Sequence, residues 1–213
     1  MRNIGLLGCL GVLLLVAIIA VVWFIGARNN LVTLDENVNK AWAKVESQYQ
    51  RRSDLIPNLV RTVQGAANFE KSTLEAVVNA RARVGQVQMT APTDPAALQQ
   101  FEQAQGALTG ALQRLLVVVE QYPDLKSNRN FLELQSELEG TENRIVVARN
   151  DFNEAAQGYN TAIRRFPGSL AASFSGLKPR PYFSATSPDA KNAPSVDFNF
   201  NNTATATATT TTK

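Results

Sequence analysis

The chain has 213 residues, with 21 Lys and Arg against 18 Asp and Glu, a net charge of +3, no histidine and one cysteine. A charge that small, with no basic stripe carrying interleaved aromatics, argues against a nucleic-acid partner. The missing imidazole and the single thiol exclude Ser/His/Asp and Cys/His catalytic arrangements, Cys/His metal clusters and an intramolecular disulfide.

The first element is an uncharged run of 24 residues from Ile4 to Ala27, bracketed by Arg2 and Arg28. At 1.5 Å per residue it is about 36 Å long as a helix, enough to cross a hydrocarbon core of roughly 30 Å. A cleaved signal peptide would have a shorter apolar core and a small-x-small site before Arg28, and neither is present. Leu6-Leu7-Gly8-Cys9 resembles a lipoprotein cleavage site, but most of the apolar length follows Cys9 instead of preceding it. Trp23 and Phe24 suit an interfacial aromatic belt. Arg2 and the amino terminus oppose Arg28, Lys40 and Lys44 across the bilayer, a near-even contest that leans toward an extracytoplasmic soluble part.

From Leu31 an apolar stripe recurs every three or four residues through Leu34, Val38, Trp42, Val45, Tyr49, Ile56, Leu59, Val63 and Ala66, then Leu74, Val77 and Val84. That spacing marks one face of an amphipathic helix. A loop at Thr90-Ala91-Pro92-Thr93-Asp94-Pro95 ends the pattern, with Asp94 as N-cap and Pro95 as first residue of the next helix. Leu98, Phe101, Leu108, Leu112, Leu115, Leu116 and Val119 carry that helix to about Gln121, and Tyr122-Pro123-Asp124 closes it. The last helix is marked by Phe131, Leu134, Leu138, Ile145, Phe152, Tyr159, Ile163 and Phe166, and Pro167-Gly168 stops it.

Pro57 decides the architecture. If the chain reverses near Arg52-Ser53-Asp54, Pro57 sits harmlessly in a first helical turn, and an up-and-down four-helix bundle closes the core. The rival is a three-helix arrangement with one kinked first helix, which the constant phase of the stripe across Pro57 favours. In that rival the stripe from Leu31 to Tyr49 is an uncovered, self-associating stalk. The reversal is the preferred reading. The fold class is therefore all-α, with residues 1–28 as transmembrane anchor, 29–183 as helical bundle with a C-terminal extension, and 184–213 as a disordered Thr/Ala-rich tail. Phe174, Tyr182 and Phe183 are expected to clamp the start of the tail on the bundle, with Phe198 and Phe200 free.

Several strings are long and compositionally unusual. They include Ala41-Trp42 with Val45, Gln50 to Val60, Tyr122-Pro123-Asp124-Leu125-Lys126, Phe131-Leu132, Thr141-Glu142-Asn143-Arg144-Ile145, Tyr159-Asn160 and Phe166-Pro167. On these the chain resembles the LemA family over roughly 30–183. The resemblance implies one N-terminal membrane anchor, a long antiparallel four-helix bundle and no established enzymatic activity. It also implies association with bacterial envelope and stress functions, in some relatives beside membrane proteases and in one branch in building magnetosome membranes. The chain departs at Asn68-Phe69-Glu70, where the family pattern leads us to expect a His-Glu pair.

Arg52 falls in the apolar stripe and Glu142 close to that of the last helix. A charge at a core position costs several kcal/mol unless paired. A bond from Arg51 or Arg52 to Asp54 or Glu142 would fix helix register. The alternative is a partner-binding surface made by Arg51, Arg52, Asn58, Glu142, Asn143 and Arg144. Tyr122, Pro123 and Asp124 read as a bundle-end corner that could also meet a partner. Paired carboxylates without the usual Glu-x-x-His spacing, and no phosphate-cradling Gly loop, leave no expected catalytic, cofactor or metal residues. The expected function is a non-enzymatic envelope scaffold that binds other envelope proteins and self-associates. The alternative is a regulatory adaptor of a membrane protease or stress-response enzyme.

Overall fold

The computed structural model describes residues 2–66, 69–87 and 90–184, with side chains from residue 11 onward. The Thr/Ala tail, Phe198, Phe200 and Asn68 lie outside the described residues. The helices are α1 Arg2–Gln64, α2 Lys71–Gln86, α3 Pro95–Val119, α4 Pro123–Lys126, α5 Arg129–Arg164 and α6 Gly168–Ser175. Among the described residues one helix, α1, is long and apolar enough to cross a membrane.

The expected reversal at Arg52-Ser53-Asp54 does not occur. α1 runs unbroken for 63 residues through Pro57, about 95 Å at 1.5 Å per residue. A proline inside a helix withholds the N–H that would bond the carbonyl four residues back. Here that carbonyl belongs to Ser53, and it accepts from Arg81 Nε of α2 at 3.0 Å instead. The orphan acceptor is satisfied from a neighbouring helix, so the stripe keeps its phase and the helix continues past Pro57.

With α1 running outward from the anchor, α2 returns beside its distal part, α3 runs outward again, and α5 returns along the whole bundle. The antiparallel pairing of α1 with α5 is fixed by Lys44 with Asp151 at 3.1 Å and Arg52 with Glu142 at 2.8 Å. Asp94 caps α3 by accepting from the Ala96 amide at 3.2 Å, with Pro95 in the first turn, as its sequence predicts. Asn128 caps α5 by accepting from the Asn130 and Phe131 amides.

Two apolar clusters form the core. The distal one joins Ile56, Leu59 and Val63 of α1, Leu74, Val77 and Val84 of α2, Leu108, Leu112, Leu115 and Val119 of α3, Leu125 of α4 and Phe131 of α5. The proximal one joins Leu31, Val38, Trp42, Val45 and Tyr49 of α1 to Ile145, Phe152, Tyr159 and Ile163 of α5, with Phe101 of α3, Ala171 and Ala172 of α6, and Phe183. The stripe from Leu31 to Tyr49 is therefore covered and is no stalk. The α2–α3 pair screens the distal half, while α6 and the extended chain behind it screen the proximal half.

That extended chain is held by two asparagines of α5. Asn160 Nδ2 donates to the Arg180 carbonyl and its Oδ1 accepts from the Arg180 amide, both at 2.8 Å. Asn153 repeats this on Phe183, at 3.2 and 2.9 Å. Seven residues of helix rise about 10.5 Å, and three extended residues span about 10 Å, so the two periodicities meet in register. Pro179 and Pro181 favour extended backbone and leave the Arg180 amide as the donor between them. Of the three expected clamping aromatics only Phe183 is buried. Tyr182 is half exposed, and Phe174 is 81% exposed. The reason is that Phe183 faces Trp42, ring centroids 5.9 Å apart and nearly parallel, while α6 turns its alanines inward and Phe174 outward.

Candidate functional site: a polar layer between two cores

Arg52 lies between Tyr49 and Ile56 on the buried face of α1 and is 2% exposed. The helix cannot bury its stripe without burying this guanidinium. Its Nη1 donates to Glu142 Oε2 at 2.8 Å and to Thr109 Oγ1 at 3.0 Å, and its Nη2 donates to Gln105 Oε1. The guanidinium also stands over the Tyr49 ring, 5.0 Å from its centroid. Gln105 occupies the inward position between Phe101 and Leu108 of α3, and Thr141 the one preceding Ile145 of α5.

The layer separates the two apolar clusters, one ending at Tyr49 and the other starting at Ile56. It ties α1, α3 and α5 at a single level, so sliding any of them by one turn strands a buried charge, a misregistration costing several kcal/mol. The Glu142 side chain is 46% exposed and opens the layer to water on one side. Arg52 Nε and Gln105 Nε2 are buried with no hydrogen-bond partner. Burial pushes the Tyr49 hydroxyl above the ordinary tyrosine pKa, against the opposing pull of the Arg149 and Arg52 charges.

The other residues singled out by sequence divide differently. Arg51 faces Glu137 at 3.9 Å with both side chains about half exposed, a pair of small energetic weight. Asp54 takes no part in the layer and accepts from Gln50 Nε2 at 2.8 Å on its own helix. Asn58 accepts from Arg61 at 2.6 Å and lines an open groove of about 390 Å³ with Leu55, Thr62, Asn130, Glu133, Leu134 and Glu137. Asn143 and Arg144 are exposed on α5. Tyr122 precedes α4, with Pro123 at its first position and Asp124 in its first turn, and packs on Phe69 with ring centroids 4.9 Å apart.

A second polar clasp escaped the sequence reading. Arg180 is buried and donates to Asp35 Oδ1 at 2.8 and 2.9 Å and to Asn39 Oδ1 at 3.2 Å. Arg149 meets Glu102 at 2.8 Å and lies over the Phe183 ring at 4.5 Å. Asn160 beside Tyr159 on the buried phase of α5 was the available signal, since an amide there demands a partner.

These features define a membrane-associated helical bundle whose anchor and core share one helix. The chain belongs to the LemA family, whose model matches residues 41–198. Among its relatives, two proteins of Paramagnetospirillum magneticum named magnetosome protein MamQ 1 and MamQ 2 are each 29% identical over 193 residues, covering 80% of this chain and 71% of theirs. A protein of Metamycoplasma hominis named protein LemA is 25% identical over 144 residues, covering 67% of this chain and 62% of its own. Neither the family description nor these names carry a catalytic activity.

Proposed function

We propose that the protein is a non-enzymatic, membrane-anchored scaffold of the cell envelope that presents its bundle to other envelope proteins and to copies of itself. The observation that carries this reading is the continuity of α1, which passes from anchor to bundle core as one helix. With no flexible linker between them, a partner bound to the bundle is held at a set height and orientation over the bilayer. Anchoring also confines binding to two dimensions, which raises effective concentration. In this reading residues 1–28 anchor and 29–183 form the presenting bundle. The Arg52–Glu142 layer sets register, and Arg51, Asn58, Asn143 and Arg144 offer polar contact points along the outside. The bundle stands on the extracytoplasmic side.

Photo-cross-linking from Arg51, Asn58 or Asn143 in growing cells tests this directly. Discrete adducts, either with partners or with a second copy, are expected. A strictly monomeric protein in detergent together with no adduct in membranes overturns the scaffold. Labelling of Ser187→Cys in intact cells, compared with lysed cells, tests the orientation.

A further inference from the structure

The bundle end nearest the anchor carries apolar side chains that face away from the core. α6 is an uncharged helix of eight residues whose Gly168, Ala171 and Ala172 are buried against the bundle. One turn apart on its other face stand Leu170, 50% exposed, and Phe174, 81% exposed, and Phe166 just before it is 67% exposed. In water these would be costly surfaces, but they do not stand in isolation. The Phe166 ring lies 5.1 Å from that of Trp23, and the Phe174 ring 6.0 Å from that of Phe24, both on α1.

The position of Trp23 and Phe24 gives the depth. The uncharged run ends at Ala27, and its length of about 36 Å exceeds the roughly 30 Å of hydrocarbon by about one turn. Trp23 and Phe24 therefore fall at the boundary of acyl chains and headgroups, where aromatic side chains are favoured. Phe166 and Phe174 share that level because they touch those rings. Arg28, Arg164, Arg165 and Lys178 flank the same end and are exposed, placed to meet anionic headgroups.

We propose that the α5–α6 corner is a second membrane-contact site, in which Phe166, Leu170 and Phe174 enter the interface of the bilayer that α1 crosses. The bundle then meets the membrane at two points, the span and the wedge, which fixes its tilt and rotation about α1. This rests on α1 crossing the bilayer. Flotation of the full-length protein with its vesicles checks that premise separately.

The test uses full-length protein carrying Cys9→Ser and Ser175→Cys, with a fluorophore on residue 175, in phosphatidylethanolamine/phosphatidylglycerol vesicles containing headgroup-proximal nitroxide lipids. Strong quenching by the lipid and weak quenching by aqueous iodide are expected at residue 175, and the reverse at a Val147→Cys control. Adding Phe166→Ser, Leu170→Ser and Phe174→Ser should lower lipid quenching several-fold while helix content and cooperative melting are retained, because none of the three side chains belongs to the buried core. Lipid quenching that matches Val147→Cys overturns the proposal. Quenching that survives the triple serine variant also overturns it, since tethering alone then explains proximity. Shielding from iodide that disappears on dilution to one protein per vesicle, without lipid quenching, assigns the face to a second copy and likewise overturns it.

Discussion

Arg81 of α2 donates from Nε to the Ser53 carbonyl of α1 at 3.0 Å, in the place of the N–H that Pro57 lacks. The two residues explain how a proline sits inside the longest helix without ending it. Pro57→Ala restores the missing donor and should stabilise the protein by up to about 3 kcal/mol. Arg81→Met should cost about 1–2 kcal/mol in the parent and close to nothing in the Pro57→Ala background. Denaturant melts of the four proteins measure the coupling, and equal Arg81 effects in both backgrounds would refute the compensation.

Arg52→Ala should destabilise by about 3 kcal/mol, the lower end of the range for a broken buried pair, because the Glu142 side chain, 46% exposed, keeps contact with water. Arg52→Met with Gln105→Leu should recover most of that loss, since apolar side chains can replace a buried polar layer. Helix register is then no longer specified by charge. Spin-label distances between α1 and α5 should broaden in the double variant and stay narrow in the parent.

Asn160→Leu leaves the Arg180 amide and carbonyl without partners and should cost about 2–4 kcal/mol for two unsatisfied groups. Hydrogen exchange should quicken at Arg180 and Phe183 well before it does at Ile145. Phe183→Ala removes a ring packed on Trp42, Phe101 and Phe152 and should cost about 3–5 kcal/mol. Trp42 fluorescence then becomes accessible to iodide.

A Cβ added at Gly168 would lie 2.2 Å from the Ala162 carbonyl oxygen, whereas one at Gly110 meets nothing within 4 Å. Gly168→Ala should therefore displace α6 and lower stability by about 1–3 kcal/mol. Gly110→Ala, in the interior of α3, should raise it by about 0.5–1 kcal/mol. Thermal melting in detergent separates the two signs.

Burial raises the pKa of Tyr49 and, with help from the Asp35 charge, that of Tyr159. Both groups hold their protons more tightly folded than unfolded. Their contribution to stability is complete below the ordinary tyrosine value of 10.0 and is lost as pH rises through the folded values. Phenolate absorbance should show these two ionising together with unfolding at alkaline pH, and Tyr49→Phe should extend the stable range upward.

The anchor, the helical stripes and the caps at Asp94 and Pro95 were legible because each is a local pattern: length, period or a side chain reaching its own backbone. The inward phase of Arg52 was legible for the same reason. Its partners Gln105 and Thr109 were not, because nothing local links α1 to α3. The turn expected at Arg52-Ser53-Asp54 failed for a related reason. Pro57 was weighed against the backbone of its own helix, and the group that answers it, Arg81, lies 28 residues beyond the Ser53 carbonyl it bonds.

By itself, then, the sequence determined an apolar span joined to amphipathic helices, since period and hydropathy are properties of consecutive residues. Which helix continues, which face of α6 turns outward and what covers Trp42 were decided only by the tertiary structure. Those outcomes depend on buried donors and acceptors finding partners far along the chain, and a buried polar group without a partner costs as much as several apolar contacts contribute.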